Sequence, residues 1–290
     1  MRDATAAREL VDGADVLVHA AAALPIRGSR ALIMGINVDG TRTLLEAARA
    51  ARLSRVLFIS STSVYGVPKV HPIPENAPLV GVGAYGESKI AAERLTRESG
   101  LPWTIIRPKT FIGPERLGVF EILFDWIREG RRIYVLGNGS NRYQLLAVDD
   151  LVDAIVRAVR RDVEGEVFNV GAGEFGTVRS DLEALIEHAG TRSRLQPIPA
   201  RPAELALRVL ELARLSPLVE WHYKTASRDS YVDISKAQRL LEWEPAKSNV
   251  DTLVDNYDWY VANRETMKTA GVTHRVPWNQ QALRLLKRIS

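Results

Sequence analysis

Apolar and polar positions along the first half of the chain fall into blocks with two different periods. ADVLVHA (14–20), SRVLFISS (54–61) and PWTIIRP (102–108) are short apolar runs of strand length. Between them lie NVDGTRTLLEAARAA (37–51), with Leu44, Leu45 and Ala48 on one helical face, and AYGESKIAAERLTRESG (84–100), closed by Gly100 as a helix stop. Apolar strands alternating with amphipathic helices predict a parallel sheet covered on both faces. Beyond Pro108 the pattern loosens. A helix is expected near 120–129, and another after Asp149 or Asp150, which would cap it, running to Arg161. GEVFNVG (165–171) reads as a last buried strand. Then come helices, a short strand LQPIP (195–199), an apolar helix at 202–215 and YVDISKAQRLLEWEP (231–245).

This pattern divides the chain into 1–172, a nucleotide-binding α/β domain with an excursion at about 110–142, then 173–268, a smaller α/β lobe, and 269–290, a tail. In the tail Trp278, Ala282, Leu285, Leu286 and Ile289 recur at helical spacing.

Composition removes several classes of chemistry. There is no cysteine, so disulfides, thiolate metal sites and cysteine nucleophiles are excluded, and a reducing cytoplasm fits. The charged opening residues Arg2, Asp3, Arg8 and Glu9 do not form a signal peptide, and the apolar run 16–26 is too short to span a bilayer. The net charge of +4 is carried by the last twenty residues, through Arg275, Arg284, Lys287 and Arg288, so the body lacks the basic face that nucleic-acid binding needs. The tail is expected to dock on its own domain rather than on a membrane.

The sharpest chemical signal is Tyr85 and Lys89 in YGESK. Four residues apart in a helix they point the same way. An ammonium beside a phenol favours the phenolate, which suits the tyrosine to proton transfer near neutral pH. Tyr65 and Lys69 share the spacing, but Pro68 between them prevents the helical geometry. Ser61 stands at the C-terminal end of a predicted strand, the edge where open α/β sheets bind ligands.

With these pieces in order, the chain resembles the extended short-chain dehydrogenase/reductases, which include NAD-dependent epimerases and dehydratases. The resemblance runs over roughly 3–265 and is carried by VLVHAAA, NVDGT, SSTSVYG, YGESK, IIRPKTFIGP, LLAVDDLVDAI, FNVGAG and DISKAQRLLEWEP. It implies a Rossmann-like doubly wound sheet and NAD as cofactor, with NADP equally open. It makes Tyr85 the acid/base, Lys89 the residue that lowers its pKa and holds the nicotinamide ribose, and Ser61 the group that orients the substrate hydroxyl. Ala20, Ala21, Ala22, Asn37, Ser60 and Pro108 fall on its cofactor side. His19 reads as a packed strand residue. No metal site is implied.

The same resemblance bears on the substrate. Dehydratases carry Asp-Glu where this chain has Thr62 and Ser63, and the related decarboxylases keep a Glu at Ser63. Both reactions are therefore disfavoured, whereas an epimerase or a simple alcohol dehydrogenase is compatible. Nucleotide-sugar enzymes place Asn where Thr110 stands, yet Arg142 matches a residue that grips a diphosphate. A (nucleotide-)sugar epimerase is the leading expectation. The alternative is a dehydrogenase of sterol-like or lipid-like alcohols, suggested by the apolar helix at 202–215. A third reading is a cofactor-deficient remnant acting as a partner-dependent binding subunit. It arises because the family's opening strand, Gly-rich turn and helix and the two strands that follow, roughly sixty residues by the length of two βα units, find no counterpart in the sequence. A homodimer through the helices at 40–51 and 85–99 is expected.

Overall fold

In a computed structural model, residues 2–24, 29–212, 220–266 and 287 are described. They form two compact units. Unit 1 comprises 1–109, 151–171 and 232–244; unit 2 comprises 110–150, 172–231 and 245–290. The chain thus crosses between units more often than a boundary at 172 implies: 143–150 belong with unit 2, and 232–244 return to unit 1.

Unit 1 is the parallel sheet. α1 (Ala4–Val11) is capped by Asp3, whose side chain accepts from the amides of Thr5 and Ala6. β1 (Val16–His19), α2 (Arg30–Met34), α3 (Gly40–Ala50), β2 (Arg55–Ile59), α4 (Gly83–Arg97) and β3 (Trp103–Pro108) follow. The strand order is β1-β2-β3-β7, where β7 is Glu166–Val170, and every pairing is parallel. The alternation of strand and helix forces this, because each crossover returns the chain to the same end of the sheet. All four C-terminal strand ends therefore share one edge, and Ala20, Ser60, Lys109 and Gly171 follow directly from it. Below the edge, Val11, Leu17, Leu44, Leu45 and Leu53 make one core layer, and Phe58, Ala92 and Ile105 another.

Unit 2 contains β4 (Thr110–Ile112), α5 (Phe120–Arg128), β5 (Arg132–Leu136) and β6 (Leu145–Ala147), then the first residues of α6 (Val148–Arg160). Asp149 and Asp150 lie in the first turn of α6 rather than ahead of it. Their expected capping role gives way to a tertiary one, since the Asp150 carboxylate accepts from the amides of Ala246 and Lys247 at 2.9 and 3.2 Å. α7 (Val178–Ala189) begins with a capping box on Thr177 and Ser180. β8 (Arg194–Ile198) pairs parallel with β5, and β4 with β6. α8 (Ala200–Leu212) and α9 (Glu220–Thr225) follow, and after α10 (Ser235–Leu241) in unit 1, α11 (Asn249–Asn263) completes unit 2. Its core gathers Phe124, Ile127, Leu185, Tyr257 and Tyr260.

The end of the apolar helix expected at 202–215 and almost all of the tail lie outside the described residues. Of the tail only Lys287 is described. Its ammonium pairs with Asp125 at 2.5 Å and Glu129 at 2.9 Å on α5. No described helix is long and apolar enough to cross a membrane.

Candidate active site

Unit 1 brings Ala20 to Ala22, Asn37, Ser60 to Ser63, Tyr85, Lys89 and Pro108 into one compact body, and unit 2 holds Thr110 and Arg142. On α4, Tyr85 is half-buried and Lys89 fully buried. The Lys89 ammonium donates to the Ile59 carbonyl at 2.9 Å, and lies 4.9 Å from the Phe58 ring centre and 5.9 Å from that of Tyr85. Burial pushes it down to about 8, against the opposing pull of the Glu93 carboxylate. A cation this desolvated acts strongly on nearby groups, because little solvent screens it.

Two glycines allow Tyr85 to sit where it does. A Cβ on Gly86 would lie 2.9 Å from the Ser63 carbonyl oxygen, and one on Gly81, at φ +33, would lie 2.9 Å from the Gly86 carbonyl carbon. The GVGAYG stretch thus serves close approach of α4 to the strand end that carries Ser61 to Ser63.

Asn37 is buried. It lies inside a single π-turn, Gly35–Asp39, between α2 and α3. Its amide oxygen accepts from the Ala23 amide at 2.7 Å; its nitrogen donates to the Ala23 carbonyl at 3.0 Å and to Ser88 Oγ at 2.9 Å. Ser88 in turn donates to the Tyr85 carbonyl at 2.8 Å. Asn37 therefore ties the segment after β1 to the turn of α4 that carries Tyr85. In that segment Ala20 and Ala21 are exposed and offer nothing beyond a Cβ, so the strand end stays open to a ligand's backbone-side approach. His19 is buried; its Nε2 shares a 2.8 Å hydrogen bond with Thr41, and burial pushes its pKa down to about 4.

The serines differ in their commitments. Ser60 donates to Glu93 Oε1 at 2.6 Å, so its hydroxyl serves the core. Ser61, half-buried, accepts from the Ser63 amide at 3.1 Å, which caps the 3-10 turn Thr62–Tyr65. Thr62 and Ser63 are buried, and Ser63 Oγ is the single buried hydroxyl among the described residues with no hydrogen-bond partner. Pro108 ends β3 opposite Val170.

Sequence reasoning passed over the group beneath these residues. Glu93, one turn beyond Lys89, makes a two-point pair with Arg107 at 2.8 and 2.6 Å, and also receives Arg97 at 2.9 Å. Arg107 donates onward to Tyr65 Oη, which donates to Asn169 Oδ1 at 2.7 Å. Burial alone would raise the Glu93 carboxyl, but Arg107 and Ser60 hold it below the usual range. Lys109, the residue after β3, is also buried, and burial pushes it to about 7. The available signal was a glutamate on the buried side of α4, in phase with Lys89.

In unit 2 a cavity of about 340 Å³ is lined by Thr110 among others. Thr110 Oγ1 and Tyr143 Oη share a 2.9 Å hydrogen bond. Arg142 is exposed and is not one of the lining residues; its guanidinium lies 4.4 Å from the Phe175 ring centre and 4.8 Å from that of Tyr231.

A four-stranded parallel sheet with helical crossovers, and a Tyr-Lys pair on one helix of the same unit, defines a Rossmann-like scaffold. Comparison with known proteins agrees. The chain belongs to the NAD dependent epimerase/dehydratase family, whose model matches residues 1–171. It is 38% identical over 290 residues to an uncharacterized protein of Sinorhizobium fredii, covering 98% of this chain and 73% of that one. It is 31% identical over 225 residues to a UDP-glucose 4-epimerase of Mycolicibacterium smegmatis, covering 73% and 72%. Among solved structures, the UDP-glucose 4-epimerase of Thermotoga maritima with UDP-glucose superposes with a TM-score of 0.73 at 25% identity, over 92% of this chain and 83% of that one.

Proposed function

We propose that this protein catalyses reversible oxidation of a secondary alcohol, with Tyr85 as the acid/base. The observation that carries the reading is the buried Lys89 ammonium on the same helix, held by Ile59 and facing the Tyr85 ring at 5.9 Å. Tyr85 takes the proton of the substrate hydroxyl and returns it on reduction. Lys89 stabilises the Tyr85 phenolate that accepts this proton, and the transfer leaves the neutral phenol, which gives the proton back on reduction. In this reading Ser61 and Ser63 orient the substrate oxygen, and the unpartnered Oγ of Ser63 supports it by leaving a hydroxyl uncommitted. When bound, NAD or NADP supplies the acceptor for the hydride that leaves the same carbon. The residues present fit such a cofactor: Ala20 to Ala22 leave the strand end uncrowded, and Lys89 supplies a cation.

Epimerisation of a nucleotide sugar is one form of this chemistry, supported by the epimerases among the relatives and by the lack of an acid at Thr62 and Ser63. A homodimer remains part of the proposal. The test is a panel of nucleotide sugars and apolar secondary alcohols with NAD and NADP, followed by NMR for epimerised product and by absorbance for reduced cofactor. Tyr85→Phe is expected to lower turnover about a hundredfold to ten-thousandfold while leaving substrate binding in place. Unchanged turnover in Tyr85→Phe would remove this function.

A further inference from the structure

The cavity in unit 2 has the wrong chemistry for a diphosphate. Its walls are mainly apolar, with Phe120 and Leu123 from α5, Ile133 and Val135 from β5, Leu182 from α7 and Leu207 from α8. Among the described residues that line it, the polar ones include Thr110, Tyr143, Asp181, Thr225 and Asn249, and none is a lysine or arginine.

Those polar groups are committed to each other. Thr110 bonds to Tyr143 Oη at 2.9 Å. Asn249 donates to the Tyr143 carbonyl at 2.7 Å and to Asp181 Oδ2 at 2.8 Å, while its own oxygen accepts from the Leu145 amide at 2.8 Å. Asp181 Oδ1 accepts from the Gly176 amide at 3.1 Å. The carboxylate therefore braces α7 against α11, and it is the one ionisable carboxyl, ammonium or guanidinium group among the described lining residues.

A diphosphate brings negative charge and calls for arginine or lysine donors. Here it would meet an acid and a greasy wall. An uncharged apolar group meets what such pockets are built for: mostly hydrophobic lining in a volume of about 340 Å³, the lower end of the usual ligand range of roughly 300–1,000 Å³. Arg142 is not one of the lining residues; it stacks on the Phe175 and Tyr231 rings and acts on Asp181 only through its charge.

We infer that the cavity of unit 2 receives the apolar body of a hydrophobic alcohol or ketone, of isoprenoid or polycyclic type, rather than the nucleotide of a nucleotide sugar. The inference rests on the oxidoreductase reading for the reacting group, but its binding claim is separable from turnover.

The test uses the full chain and a neutral fluorescent probe, N-phenylnaphthylamine, displaced by farnesol, by a sterol 3-alcohol or by UDP-glucose. Probe binding is expected, with displacement by the apolar alcohols and none by UDP-glucose. Leu182→Trp, which fills the cavity, is expected to weaken probe binding about tenfold or more. Phe120→Ala, which enlarges it, is expected to retain binding and to favour the bulkier sterol. The two variants push the site in opposite directions, so a folding defect in one leaves the other decisive. Displacement by UDP-glucose at lower concentration than the apolar alcohols overturns the inference, as does probe binding insensitive to both variants. Cavity-dependent binding without NAD- or NADP-linked turnover would keep this inference and remove the oxidoreductase reading. Turnover of nucleotide sugars unaffected by Leu182→Trp would do the reverse.

Discussion

Lys89 is the residue whose replacement tests the site most sharply, because its role in chemistry and its effect on stability have opposite signs. Its ammonium is held near 8 instead of 10.5 by burial. That difference corresponds to about 3 kcal/mol of penalty for keeping the charge in the folded protein at neutral pH. Lys89→Met removes the charge and keeps most of the volume, but loses the hydrogen bond to the Ile59 carbonyl, worth about 1 kcal/mol net. At pH 7 the variant should therefore be more stable than the parent by about 2 kcal/mol. The pH dependence follows from linkage. Between about 8 and 10.5 the unfolded chain keeps a Lys89 proton that the folded protein has released, so the parent gains stability as pH rises, by about 1.4 kcal/mol per pH unit. Lys89→Met lacks this gain, so its advantage should shrink through that window and reverse near pH 10. Urea unfolding followed by circular dichroism at pH 7, 8.5 and 10 measures it, and titration of lysines and tyrosines remote from Lys89 cancels in the difference. Parallel stability curves for the two proteins would refute the buried-ammonium reasoning. The same variant should have almost no turnover, since nothing then favours the Tyr85 phenolate.

Other substitutions probe the surroundings of this pair. Glu93→Gln leaves Arg107 buried without its counter-charge and should destabilise the protein by about 3–5 kcal/mol in chemical denaturation. Because the Glu93 carboxyl is held below its usual range, its stabilisation should be present at neutral pH and fade as pH falls through the acid range, a fade absent in the variant. Gly86→Ala places a Cβ 2.9 Å from the Ser63 carbonyl oxygen; it should cost about 1–3 kcal/mol and reduce turnover more than cofactor binding. Ser63→Ala removes a buried hydroxyl with no partner, so thermal stability should hold or rise, and a raised KM would mark the hydroxyl as a substrate contact.

The strands and helices of unit 1 were legible because their signals are local. VLVH, RVLFI and WTIIRP are apolar runs of strand length, and Leu44, Leu45 and Ala48 line one face of α3; in the structure all three are buried. The Tyr85 and Lys89 pairing was readable from helical spacing alone. The commitments of the polar side chains were not. Ser60 falls on the cofactor side by resemblance, and no local pattern shows that its hydroxyl donates to Glu93, thirty-three positions away. Asn37 falls on the cofactor side by resemblance, and no local pattern shows that its amide also bonds to Ala23 and Ser88. Arg142 matches a diphosphate-gripping residue by resemblance, and no local pattern shows the two aromatic rings that distant segments bring beside it.

By itself the sequence determined the periodicities, the order of strands and helices, and hence a parallel sheet with a hydroxyl, phenol and ammonium set in one unit. These follow from interactions within a few residues, whose geometry the backbone imposes. Only the tertiary structure decided how strongly Lys89 is desolvated, which partner each hydroxyl and amide keeps, and that the cavity of unit 2 is apolar with a single acid. Burial and pairing depend on atoms that meet across a hundred or more positions of chain, as Asn249 and Leu145 do, and no local pattern encodes that meeting.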